Sequence, residues 1–127
     1  MNSKQLGVLG EKIAEKFLKR KGYQILDKNY SNRFVSGPQR GEIDIITKKG
    51  DIISFIEVKT LTGNHQTFLP EDKVNFSKQR KIIKTAQSWL MEKKIPFNNK
   101  WQIDVIAIKI NQNLKKAKIR HLKNVVF

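Results

Sequence analysis

The chain has 127 residues, with 26 Lys+Arg against 11 Asp+Glu, a formal charge of +15 and 39% hydrophobic residues. That is one domain's worth of sequence with enough apolar material for a single core, which excludes a disordered basic tail and leaves a foldable domain whose field attracts phosphate backbones. Zero cysteines exclude disulfides, thiolate catalysis and cysteine-based zinc sites, and with neither a bilayer-long apolar run nor a signal peptide's apolar stretch the expectation is a soluble, cytoplasmic protein.

Leu6, Leu9, Ile13 and Phe17 recur at helical spacing and predict a first helix over 6–18, with Gly22 as its stop after Lys19, Arg20 and Lys21. A strand over 23–30 follows. Residues 31–40 then collect Ser, Asn, Gly and Pro without periodicity, the pattern of a mobile loop. The β-branched segments 43–47 and 52–60 flank Lys49-Gly50-Asp51, which predicts a central hairpin. After a polar, irregular stretch over 61–75, a second helix is expected over about 77–94, with Ile82, Ile83, Ala86, Trp89 and Leu90 on one face and Pro96 closing it. Residues 102–110 read as another apolar strand and 118–123 as a shorter edge strand. The order, helix, three strands, helix, one or two strands, predicts one α/β domain over 1–127 with a mixed central sheet flanked by helices.

A hairpin turning on Gly50-Asp51 sets Asp44 opposite Glu57. Opposed strand residues hold their Cβ atoms roughly 4.5–5.5 Å apart, close enough for one divalent cation to bridge both carboxylates. Glu57 and Lys59 share a strand face about 6.6 Å apart, so the lysine reaches a phosphate or water at the same cation. Apolar residues lie on both parities of these strands, and burial on both faces makes charges costly unless something pairs them. A bound metal satisfies them; a structural ion-pair cluster is the alternative. The neighbouring acids favour charged Lys59, which gives it electrostatic and positioning work rather than the part of a base.

Gly10-Glu11 with Ala14 and Gly22-Tyr23, then Arg40-Gly41-Glu42-Ile43-Asp44, Phe55-Ile56-Glu57-Val58-Lys59-Thr60 and Asp104-Val105 resemble the YraN-like family. That family is similar to the archaeal Holliday-junction resolvases of the PD-(D/E)xK nuclease superfamily. The resemblance runs from about Leu6 to the chain's end and departs at Leu61, Leu69 and Gln102, where a basic residue, a glycine and an arginine are usual. It implies a restriction-endonuclease-like αβββαβ core and a metal-dependent endonuclease. Asp44, Glu57 and the Val58 carbonyl would hold Mg²⁺, with Mn²⁺ as a substitute, Lys59 would sit at the attacked phosphate, and Glu11 would be an accessory acid. The implied substrate is nucleic acid, DNA ahead of RNA and branched DNA in particular; cutting both strands of a junction would call for a homodimer. A non-catalytic nucleic-acid-binding protein of the same fold is the alternative, and a basic scaffold in an RNA-rich assembly a further one.

Glu11 borders the apolar face of the first helix and is either a site acid or a surface acid, whereas Glu15, four residues before Lys19, reads as a solvated pair. On the second helix Gln79 shares the face of Ile82 and Ala86 with Lys78 beside it, and both are candidates to orient a phosphate, as is Arg40. Arg80, Lys81 and Lys84 are expected to point outward and help hold a backbone. Asp104 is expected to pair with a structural Lys or Arg, His65 and His121 lack spaced partners for zinc or a triad, and Trp89 and Trp101 read as core or boundary aromatics.

Overall fold

A computed structural model describes residues 1–32, 35–62, 76–111, 113 and 115–125, the side chains of 39 and 76–78 excepted. The elements run α1 (Ser3–Arg20), β1 (Gln24–Ser31), β2 (Glu42–Lys49), β3 (Ile52–Thr62), α2 (Phe76–Glu92), β4 (Lys100–Asn111) and β5 (Lys116–Leu122). They form a five-stranded mixed sheet in the order β1-β2-β3-β4-β5, the αβββαβ core with one further strand. Among the described residues only β3 and β4 pair in parallel, because α2 carries the chain back across the sheet between them. No helix among the described residues is long and apolar enough to cross a membrane.

α1 starts three residues earlier than its apolar spacing predicts because Asn2 and Gln5 form a reciprocal capping box: Gln5 N–H donates to Asn2 Oδ1 at 2.8 Å and Asn2 N–H to Gln5 Oε1 at 3.0 Å. Its buried stripe, Ala14 and Leu18, packs with Ile45, Ile56, Ile106 and Ile108 on one face of the sheet. α2 covers the opposite face, where Ile82, Ala86 and Trp89 meet Ile46, Phe55 and Val105. Trp89 and Trp101 both set ring edges against Phe55, at centroid distances of 5.7 and 5.6 Å. The central strands are thus apolar on both sides, as their sequence requires.

The β2–β3 turn is two residues long, with Gly50 at φ +63° and Lys49 opposite Ile52. The ladder keeps this register as far as Ile45 opposite Ile56. Just beyond, β2 breaks its alternation: Ile43 joins the core under α2, whereas Ile45 joins the core under α1, although residues two apart on a regular strand share a face. The neighbouring strand is irregular at the same level, with Asn29 at φ +51°. The expected loop 31–40 carries structure of its own: Ser31 ends β1 and Gly37–Gln39 form a 3-10 turn. Residues 61 and 62 extend β3, while the remainder of the irregular stretch, with His65 and Leu69, lies outside the described residues.

At the far edge β5 pairs, among the described residues, with β4 alone, and it carries Lys116, Lys118 and Arg120. Charged side chains of this kind discourage strand-to-strand association at a bare edge.

Candidate metal and phosphate site

Asp44 lies where β2 and β3 separate. Its Oδ2 accepts the main-chain N–H of Val58 at 2.7 Å, so a side-chain oxygen serves as acceptor just past the last ladder pair. Within a strand the N–H and C=O of one residue point to the same side, which aims the Val58 carbonyl toward β2 as well. Glu57, half-buried, pairs through Oε1 with Lys59 Nζ at 2.8 Å, confirming that the two side chains share a face.

The Asp44 carboxyl is pushed up from its ordinary value of 3.8 to about 7. Burial is the largest cause, and the negative charges of Glu11, Glu57 and Glu42 add to it, against the stabilising hydrogen bond from Val58. Three acids thus act on Asp44 near the start of β2, and a cation placed beside it relieves both its desolvation and this repulsion. Among the described residues no three acidic or histidine side chains stand together as a ready-made metal cage. The donors available are Asp44, Glu57 and a main-chain carbonyl, all oxygen, which suits a hard ion such as Mg²⁺ or Mn²⁺ that keeps part of its water shell.

Glu11 reaches this region because α1 crosses β3 closely at Gly10: a Cβ there would collide with the Thr60 side chain. Its Oε1 accepts Asn29 Nδ2–H at 2.8 Å, from the left-handed residue of β1. Asn29 is absent from the sequence-based candidates; the only trace of it is a residue type that tolerates positive φ. Glu15 behaves as expected, pairing with Lys19 at 3.2 Å, and also with Lys28 at 3.4 Å. These lysines hold its carboxyl below the ordinary range.

The phosphate-contact candidates are more scattered. Gln79 is half-buried on α2, and the Lys78 side chain lies outside the described residues. Arg40 is exposed and donates to Ser31 Oγ from Nε at 3.1 Å and Nη2 at 2.7 Å, clipping together the ends of the segment between β1 and β2. Arg80 and Lys84 point outward, whereas Lys81, expected to do the same, is half-buried. The α2 backbone around Lys81 is held close by Gly41, where a Cβ would lie 2.9 Å from the Lys81 carbonyl oxygen.

Asp104 corrects a further expectation. It is fully buried, and its partner is a histidine rather than a lysine or arginine: His121 Nε2 stands 2.8 Å from Oδ2. Oδ1 accepts Gln102 Nε2–H at 3.0 Å and the Asn124 main-chain N–H at 2.9 Å. The ring of His121 packs against Phe17 and Tyr23, so this cluster ties β4, β5 and the end of α1 together.

The model of "Uncharacterised protein family UPF0102" matches residues 10–108, which span the Glu11, Asp44, Glu57 and Lys59 positions. A UPF0102 protein of Clostridium tetani is 47% identical over 128 residues, covering 98% of this chain and 97% of its own. Those of Clostridium beijerinckii, at 40% identity with 96% and 93% covered, and of Alkaliphilus oremlandii, at 39% with 96% and 97%, are similar over nearly the same extent. The chain belongs to the uncharacterised UPF0102 family, the YraN-like family that its Gly-Glu-Ile-Asp and Glu-Val-Lys segments resemble.

Proposed function

We propose that this protein is a divalent-metal-dependent endonuclease that hydrolyses phosphodiester bonds in nucleic acid, DNA ahead of RNA. The observation that carries the reading is the buried Asp44 carboxyl, which accepts the Val58 N–H at 2.7 Å and lies in the field of Glu11, Glu57 and Glu42, with Lys59 2.8 Å from Glu57. Asp44, Glu57 and the Val58 carbonyl would hold Mg²⁺ or Mn²⁺. The ion, when bound, supplies a water of lowered pKa and neutralises charge building on the phosphate. Lys59 orients a non-bridging phosphate oxygen, and Glu57 keeps its ammonium in place. Glu11, held by Asn29, adds negative charge that favours the cation.

The test is a panel of labelled branched, duplex and single-stranded substrates with Mg²⁺ or Mn²⁺, run with wild type and with Asp44→Ala, Glu57→Ala and Lys59→Ala. Cleavage by wild type alone is expected, with a loss of about 10³-fold or more in the variants. Equal cleavage by all four proteins would remove the proposal.

The +15 charge supports a second reading, a nucleic-acid-binding protein of the same fold without turnover. Calorimetric titration with Mn²⁺ separates the two: uptake by wild type that is lost in Asp44→Ala favours the nuclease, and binding of nucleic acid with no metal uptake favours the binder.

A further inference from the structure

The end of α1, the β2–β3 turn and the α2–β4 connection come together at one end of the sheet. Lys49 Nζ stands over the Tyr23 ring, 4.9 Å from its centroid, and so sets the turn against the chain leaving α1. Lys100, the first residue of β4, lies opposite Ile52 and pairs with Asp51 at 3.3 Å, which sets the α2–β4 connection against the same turn. Asp44 is near the other end of β2, about 20 Å from Gly50 at the rise of a strand.

Exposed cations crowd this end. α1 closes on Arg20 and Lys21, the turn region carries Lys48 and Lys49, and the chain after α2 carries Lys93 and Lys94. Two helix C-termini meet them here, each equivalent to about half a negative charge, and Glu92 adds one more, so among the described residues an excess of about four positive charges is left. Between Lys94 and Lys100 the chain turns: Asn99 N–H donates to the Pro96 carbonyl at 2.9 Å, which puts Phe97 and Asn98 on the outer corner. Phe97 is 100% exposed there, while Ile95, two residues earlier, packs against the core under α2. The ring is thus held out in water by an anchored turn.

We propose that this end is a second contact for nucleic acid, in which the lysines hold the backbone of a single strand and an unpaired base stacks on Phe97. Charge complementarity selects a polyanion. The ring narrows the choice: a duplex hides the faces of its bases in the stack, so an unpaired base is the one that can lie flat on an exposed aromatic side chain. Lysine outnumbers arginine among these cations, which suits a backbone contact without bidentate readout. An anionic membrane carries the same sign of charge but offers no planar ring to stack on. The proposal rests on the reading of the protein as one that acts on nucleic acid, and adds a hold on the substrate remote from the carboxylates that requires neither metal nor turnover.

The experiment is fluorescence anisotropy of a labelled oligo(dT), and of a labelled duplex of the same length, with the full chain in EDTA. Phe97→Ala and Lys48→Glu/Lys93→Glu alter exposed positions at this end, and Lys118→Glu/Arg120→Glu reverses two exposed charges on β5 as a matched control. We expect Phe97→Ala to lose about fivefold or more in affinity for oligo(dT) and under about twofold for the duplex, with Phe97→Trp keeping wild-type affinity. The lysine variant is expected to lose about tenfold or more and to show a shallower salt dependence, against under about threefold for the control. Equal effects of Phe97→Ala on the two nucleic acids, or equal losses in the lysine variant and the control, would overturn the assignment. So would flotation with phosphatidylglycerol vesicles that depends on Phe97 while oligo(dT) binding does not, which would give this end to a membrane. The expected losses in a protein that cleaves nothing would defeat the nuclease reading alone; cleavage by wild type, with normal binding by both variants at this end, would defeat the second contact alone.

Discussion

Asp44 and Asp104 are the same residue type, each set into a strand of the central sheet, and they sit in opposite surroundings. Asp104 is fully enclosed and saturated, by His121, Gln102 and a main-chain N–H. Among the described residues Asp44 accepts one main-chain hydrogen bond and otherwise faces the charges of three other acids. A buried carboxylate that is fully partnered locks elements together. One surrounded by its own sign stores unfavourable energy that a cation can release. The contrast separates a structural acid from a candidate working acid without reference to any reaction.

Removing Asp104 is the hardest test of that contrast. Asp104→Ala strands a buried imidazole, an amide and a main-chain donor, and is expected to cost about 3–5 kcal/mol in urea unfolding. A loss below 1 kcal/mol would mean that the cluster does not hold β4 and β5 together.

Asp44→Asn should act with the opposite sign. The Asp44 pKa is raised in the folded chain, so its contribution favours folding fully below the ordinary 3.8 and is lost as pH rises through about 7. Asparagine retains an acceptor for Val58 N–H and carries no charge. The variant is therefore expected to be more stable than wild type by roughly 2–4 kcal/mol at pH 8 in EDTA, with the gap closing toward pH 4. Unfolding curves at the two pH values check this, and a gap that does not change with pH would show that Asp44 is no more strained than Asp104.

Gly41→Ala probes the backbone next to the acidic cluster rather than the acids themselves. Its Cβ would meet the Lys81 carbonyl oxygen at 2.9 Å and the Thr85 hydroxyl, and the expected cost is about 1–3 kcal/mol by chemical denaturation. Asn29→Gly should have the smallest effect on folding, within about 0.5 kcal/mol, because glycine accepts the φ of +51°. It releases Glu11, however, and Mn²⁺ affinity by calorimetry should fall about tenfold. An unchanged affinity would leave Glu11 a surface acid.

Much of this arrangement is readable from the chain. The Lys49-Gly50-Asp51 turn fixes the β2–β3 register, and the apolar residues on both parities announce strands buried on both faces. The shared face of Glu57 and Lys59 follows from strand period alone. What escapes is set by pairings distant in sequence. Asp104 meets His121 only because β5 folds back beside β4, and nothing local to either residue reveals the other. Asn29 matters through a left-handed backbone and a helix eighteen residues upstream. The face switch between Ile43 and Ile45 runs against strand alternation, so period-based reading gives no warning of it, although it is there that Asp44 turns toward Val58.

The bare flank formed by Lys116–Leu122 has a consequence for handling the molecule. Repulsion between like copies opposes extension of the sheet there, and among the described residues no helix covers that edge. Such a barrier fades as ionic strength rises and the Debye length shrinks from about 10 Å at 0.1 M to about 3 Å at 1 M. Raised ionic strength is therefore the condition in which copies of this protein approach most easily at that edge, and self-association is expected to increase with salt.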